Sequence, residues 1–156
     1  MSNRVLPLLA VATGTLLVIG SIAKAEEKDA RRGDSRQITK MFLDAALNGR
    51  LKEAAAMGEA GKSYSREEAI KQFAELKVKR LKLTDVRANC EDAIAVTEDV
   101  KDDRGREGPL VLTLVKKNKV WSISDVDLET KNSAKAELER FLKAHPDAKA
   151  VPEPED

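Results

Sequence analysis

The sequence predicts an α+β domain. N-terminal helices should pack on one face of a curved, cone-like antiparallel sheet of about four strands, and a further helix should follow at the C-terminal end. The first observation is residues 108–128 (GPLVLTLVKKNKVWSISDVDL), where apolar residues alternate with period two on both sides of a short polar turn. The second is the helical spacing of apolar residues before that stretch. The third is the order of these segments, helices first and strands afterwards, which is typical of an α+β fold.

The N-terminal segment has the pattern of an export signal. Arg4 precedes residues 5–23, which carry no charge, and residues 23–25 (AKA) fit a small-x-small cleavage site. We therefore predict a signal peptide over 1–25 and export to the periplasm or the outside. Alternatively, residues 5–23 stay as an anchor, since roughly 19 apolar residues can just span a bilayer.

Charge and chemistry-bearing residues exclude several functions. The chain has 28 Lys and Arg against 27 Asp and Glu. This balance argues against nucleic acid as a partner, and a membrane is expected as one only if the signal segment is uncleaved. The single Cys90 rules out an intrachain disulfide, and the single His145 without clustered Cys argues against zinc. We expect no cofactor and no metal.

Three helices are expected after a charged, flexible leader over 26–34. Asp34 or Ser35 can cap the first helix, which should end near Gly49. A short helix over 51–57 follows, and a capping-box pattern at 65–68 opens a third over 66–76. The apolar stripe of the first helix, expected to pack on the sheet, consists of Ile38, Met41, Phe42 and Ala45.

Four strands are expected next. A weaker strand over 79–88 and a better one over 92–101 precede the hairpin, with Ile94, Val96 and Val100 expected on one face. The acids of the intervening loop, Asp99, Asp102 and Asp103, are interleaved with basic residues, so we expect solvated loop charge there.

The hairpin pattern predicts both a register and an irregularity. Leu114 should lie opposite Trp121, and Leu112 opposite Ile123, which gives one fully apolar face. Because Val126 and Leu128 are out of phase with Trp121, a β-bulge near residues 124–125 is expected to restore them to that face.

Two carboxylates near this bulge are the candidate catalytic residues. With the bulge, Asp125 and Asp127 should turn outward; without it they would point inward. An inward carboxylate in an apolar pocket would have a raised pKa and could act as a general base. The sequence offers no partner acid or oxyanion donor beside them, so a catalytic site is not predicted.

The C-terminal part is expected to be a helix and a tail. Asn132 or Ser133 can cap a helix within 130–145, which Pro146 stops. Residues 146–156 are acidic and Pro-rich, and we expect them to be disordered.

The order of these segments resembles the nuclear-transport-factor-2-like (cystatin-like) superfamily. The resemblance rests on RQITKMFLDAALNGRLKEAAAM, SREEAIKQFAEL and the meander ending KKNKVWSISDVDLE, and it covers residues 35–129. It is greatest to small secreted bacterial domains of unknown function. It implies helices closing over a curved sheet around a pocket, which would be lined here by Phe42, Phe73, Leu112, Leu114, Trp121 and Ile123.

The resemblance does not carry an activity. Ketosteroid isomerases of this superfamily use inward carboxylates and a hydrogen-bonding Tyr, but Tyr64 lies before the third helix here and no Asp can be matched. We therefore expect an exported, non-catalytic module that binds a small molecule or a protein partner. The first alternative is a small isomerase- or hydrolase-like enzyme using Asp125 or Asp127. The second is a homodimer formed through Val111, Thr113, Val115, Val120 and Ser122.

Overall fold

The structure is a computed structural model that describes residues 34–155. The predicted signal peptide and leader residues 26–33 lie outside the described residues. Among residues 34–155, no helix combines the length and the apolar character needed to cross a bilayer.

The α+β class is confirmed, with helices before an antiparallel sheet and one helix after it. The α-helices are α1 (Ser35–Leu47), α2 (Leu51–Ala56), α3 (Glu67–Ile70) and α4 (Lys131–Ala144). Two 3₁₀ helices span Ser63–Ser65 and Lys71–Leu76. The strands are β1 (Leu83–Ala88), β2 (Asp92–Lys101), β3 (Glu107–Lys117), β4 (Val120–Leu128) and β5 (Lys149–Ala150).

The sheet has five strands in the order β4-β3-β2-β1-β5. The first four form the predicted meander, and β5 adds the C-terminal tail to the outer edge of β1. The prediction of a disordered tail over 146–156 is therefore wrong for residues 149–151, where Val151 N–H also donates to the Val86 carbonyl at 2.9 Å. The edge of β1 offers free backbone groups, and the Val151 side chain packs against the core, which local composition cannot reveal.

The β3–β4 hairpin turns at Asn118 and Lys119, which both have positive φ (51° and 64°). Two such residues are typical of a tight type I′ hairpin turn. This turn sets Leu114 opposite Ile123 and Lys116 opposite Trp121, so the predicted pairing of Leu114 with Trp121 is wrong by two residues. A shift of two keeps every side chain on its face, and the apolar face forms as expected.

The predicted β-bulge in β4 is confirmed. Thr113 pairs with Asp125 and Leu114 with Ile123, which leaves Ser124 as the extra residue. Val126 is consequently buried on the same side as Trp121 and Ile123.

A second bulge in β2 was not predicted. The β2–β3 register shifts between Val96 and Asp99, so Ile94 and Val96 face α4 while Val100 joins the main core. The expectation of one shared face for these three residues is wrong. Thr97 is 2% exposed at this bulge, and its hydroxyl accepts the Leu110 N–H at 2.9 Å.

Both faces of the sheet are covered. The helices before the sheet pack on one face and form the main core with side chains such as Ile38, Phe42 and Ile123. Helix α4 packs on the other face, where Ala134 contacts a smaller cluster with Ile94 and Val111.

The chain after α2 also extends the sheet at its β4 edge. Glu59 N–H donates to the Ile123 carbonyl at 2.7 Å, and Ile123 N–H donates to the Met57 carbonyl at 2.9 Å. Gly58 lies between them, and a Cβ there would be 2.1 Å from the Tyr64 carbonyl oxygen. This close approach fixes the position of the segment that carries Tyr64.

Candidate functional site

An open cleft of about 240 Å³ lies at one end of the sheet, beside the 3₁₀ helix Lys71–Leu76 and the paired ends of β3 and β4. Its walls combine apolar and polar side chains. The apolar ones are Phe73, Leu76, Leu110, Val126 and Leu128. The polar ones are Tyr64, Gln72, Glu75, Asp102, Arg106 and Asp127.

Tyr64 is held by an aromatic cluster. Its ring meets Phe42 and Phe73 edge-on, with centroids 6.4 and 6.2 Å away. Its hydroxyl donates to the Val126 carbonyl at 2.8 Å. Burial, and then the charges of Asp125 and Asp127, raise the pKa of Tyr64 to about 12. Tyr64 is therefore a neutral phenol whose proton is already donated to the backbone.

Asp127 is the carboxylate that lines the cleft. The residue is exposed overall, but partial burial is still the main cause that raises its pKa above the ordinary value, followed by the nearby charges of Asp125 and Glu129. Its ionised form is thus held close to other negative charge. A cation at this wall of the cleft would lower that repulsion.

Asp102 and Arg106 form another wall. The Asp102 carboxylate accepts the backbone N–H groups of Arg104 and Arg106 at 3.0 and 2.8 Å, and Arg106 Nε at 2.6 Å. Burial by itself would raise the pKa of Asp102, but the hydrogen bonds from Arg106 outweigh it and lower the pKa. The prediction of solvated charge is wrong for Asp102, since this residue is buried and shapes the loop. The sequence did contain a signal for this contact, because an Asp side chain in a turn often accepts backbone N–H groups a few residues later, as Asp102 does from Arg104 and Arg106.

The predicted pocket residues fall into two places. Phe73 lines the cleft and also belongs to the main core. The other five lie in the main core, where packed neighbours surround them: Phe42, Leu112, Leu114, Trp121 and Ile123. A cone-like fold was expected to leave a pocket between the helices and the sheet, but side chains of α1 pack in that space. The cleft instead uses residues at the ends of elements, such as Leu76 and Leu128, which periodicity does not distinguish from core.

The two candidate carboxylates are neighbours, since Asp125 adds its charge and a side-chain hydrogen bond to the burial that raises the pKa of Asp127. Both residues are exposed, and Asp127 is the one that lines the cleft, while the Asp125 carboxylate accepts the backbone N–H of Val126 at 2.9 Å. The bulge turns both from the main core, as predicted.

Other chemistry-bearing residues lie elsewhere. Within residues 34–155, no group of three or more His, Cys, Asp or Glu side chains could hold a metal ion. His145 ends α4, with its ring 4.5 Å from that of Phe141 and Nδ1 3.2 Å from Asn89 Nδ2. Cys90 is an exposed free thiol.

Comparison with models of known protein families gives no match for this chain, and comparison with curated proteins gives no similar sequence.

Proposed function

We propose that this chain is an exported, non-catalytic module that binds a small molecule in the cleft between Tyr64 and Arg106. The observation that carries the proposal is the composition of the cleft. It combines five apolar side chains with six polar ones, and hydrogen bonds hold the Tyr64 hydroxyl and the Arg106 guanidinium of this polar set in place. A concave surface on which positioned polar groups lie beside apolar side chains can orient a small molecule.

The size and charge of the cleft indicate the class of ligand. About 240 Å³ is below the range of about 300–1,000 Å³ for drug-sized ligands, so the ligand should be smaller. Arg106 is paired with Asp102, which leaves Asp127 and Glu75 as the excess charge of the lining. A small, partly apolar molecule with a positive group fits this arrangement.

A matched pair of probes tests this charge preference. Benzylamine, which is positive at neutral pH, and benzoate, which is negative, have similar size and can be titrated into isotope-labelled protein. NMR shifts at Tyr64, Phe73 and Asp127 are expected with benzylamine and absent with benzoate. Asp127→Asn should weaken the benzylamine shifts severalfold, whereas the exposed loop variant Asp103→Asn should not. Equal response to both probes would refute the charge preference.

Export and family membership are part of the proposal. Residues 1–25 support export by their cleavage pattern. The order of helices before a bulged antiparallel sheet supports the likeness to the nuclear-transport-factor-2-like superfamily. An intact mass beginning at Glu26, measured on protein from the exported fraction, is the expected result. A mass that retains residues 5–23 would favour the anchored alternative.

A catalytic role is the second candidate, and one observation favours it. Asp127 has a raised pKa at the wall of a cleft, beside Tyr64, which is a feature of general bases. Against it, the Tyr64 hydroxyl is engaged by Val126 and does not serve as a free proton donor. Turnover of an enolisable ketone or an activated ester that Asp127→Asn abolishes, and Asp103→Asn preserves, would establish this role.

We also propose a homodimer through the outer face of the sheet, although the surface available for this contact is smaller than expected from the sequence. Helix α4 covers Val111, while Thr113, Val115 and Val120 stay half-exposed. Sedimentation of the mature chain at high concentration tests it, and a single monomeric species would refute it.

A further inference from the structure

Arg36 is a buried cation near the start of α1. Its side chain is 8% exposed, and Nε donates to the Val151 carbonyl at 2.9 Å. Among residues 34–155, Nη1 has no hydrogen-bond partner, and the carboxylate oxygen Oε1 of Glu153 lies 3.5 Å away. A buried guanidinium is costly unless its donors are satisfied. Nη1 is therefore a buried donor whose contact with Glu153 is an ion pair at long range and not a hydrogen bond within residues 34–155.

A cavity of about 250 Å³ opens beside this donor, lined by Asp34, Arg36, Gln37, Lys40 and Pro154. Lys40 Nζ lies 3.3 Å from the same Glu153 oxygen, so two cations face one carboxylate that is itself half-exposed. The negative group on the other side is Asp34, which already caps α1 by accepting the Gln37 N–H at 2.7 Å. The first turn of the 13-residue helix adds to the positive potential.

The C-terminal tail is the segment that reaches this cavity. It pairs with β1 through Arg87–Ala150 and Ala88–Lys149, and the Val151 side chain then packs against the core. Addition of an extended segment to the edge of a sheet is a common mode of peptide recognition, in which backbone pairing is combined with side-chain pockets. The two-residue strand β5 is short and exposed, so its hold on β1 is limited.

We propose that the edge of β1 and the Arg36–Lys40 cavity form a binding site for an extended acidic segment of a partner protein. The segment would place an apolar residue where Val151 lies and a carboxylate two residues later, where Glu153 lies. The chain's own residues 149–153 occupy this site as an internal competitor. A partner whose carboxylate reaches Nη1 of Arg36 at hydrogen-bond distance would displace the tail. This site is separate from the cleft at Tyr64 and independent of the function proposed for it.

The test uses the full mature chain and a fluorescein-labelled peptide with the sequence of residues 148–155, AKAVPEPE. Glu153→Lys places a third cation beside Arg36 and Lys40, so it should release the tail and leave the site open. Fluorescence anisotropy should then show at least tenfold tighter peptide binding to Glu153→Lys than to the wild type. Glu155→Lys is the matched control, since it makes the same charge change two residues later and should behave like the wild type.

Release of the tail is measured separately, by the rate of trypsin cleavage after Lys149. Cleavage should be faster in Glu153→Lys and unchanged in Glu155→Lys. In the Glu153→Lys background, Lys40→Gln should weaken peptide binding severalfold, and so should a peptide carrying the Glu153→Gln change.

Three outcomes would overturn the proposal. The tail could stay protected in Glu153→Lys, which would mean that its carboxylate does not hold it. The tail could be released while the peptide fails to bind. Finally, the Gln-substituted peptide could bind as tightly as the acidic one, which would show strand pairing without carboxylate recognition.

Discussion

At the scale of single residues, Thr97 shows how one hydroxyl supports an irregular backbone. The β2 bulge leaves the Leu110 N–H without a strand partner, and Thr97 Oγ1 accepts it in a buried position. Thr97→Val keeps the shape and removes the acceptor. The free energy of unfolding should fall by about 1–3 kcal/mol, the usual cost of an unsatisfied buried group. Urea unfolding measures this, and the half-exposed Thr113→Val should change stability by less than about 0.5 kcal/mol.

Asp127 should give the stability of the protein a specific dependence on pH. Its pKa in the folded state is raised above the ordinary value of 3.8, so the folded state binds the proton more tightly than the unfolded state does. This carboxyl group therefore lowers the free energy of unfolding least at low pH, and it lowers that free energy more as pH rises through the folded pKa. Asp127→Asn should consequently stabilise the protein more at pH 7 than at pH 3.

Chemical unfolding at the two pH values checks this sign. The exposed Asp103→Asn serves as the control and should show no such difference between pH 3 and pH 7. A gain from Asp127→Asn that is larger at pH 3 would contradict the raised pKa.

At the scale of elements, Gly58 links α2, the Tyr64 segment and the edge of β4. A Cβ at this position would overlap the Tyr64 carbonyl group, with backbone atoms at 2.1 and 2.3 Å. Gly58→Ala should lower the free energy of unfolding by about 1–3 kcal/mol or more, as overpacking does. It should also shift the ring resonances of Tyr64. Gly61→Ala, where nothing lies within 4 Å, should cost some stability through its positive φ of 82° and should leave those resonances in place.

The elements also show what a sequence pattern can predict. The bulge in β4 was predictable because Val126 is out of phase with Trp121 on a strand that alternates apolar and polar residues. The bulge in β2 was not, because Val96 and Val100 are apolar on either side of it. Helix α4 covers one face of the sheet and the main core lies on the other, so residues on both faces are apolar. Alternation of apolar and polar residues then no longer shows which face a residue of β2 lies on.

At the scale of the whole molecule, the contacts that sequence reasoning missed join parts distant in the chain. Arg36 and Val151 are 115 positions apart, and Tyr64 meets Val126 across 62. Periodicity reports which residues of one element share a face and cannot report which distant element that face meets. The order of helices and strands was therefore predictable. The fifth strand, the side of the sheet that α4 covers and the lining of the cleft were not.

Native mass spectrometry of protein purified gently from the exported fraction shows whether a small ligand occupies the cleft between Tyr64 and Arg106. The wild type should carry a small molecule in addition to the mass of its mature chain. Leu128→Trp, which adds an indole to the lining of the cleft, should appear without it. A wild-type protein that is empty, or a ligand that persists in Leu128→Trp, would contradict the claim.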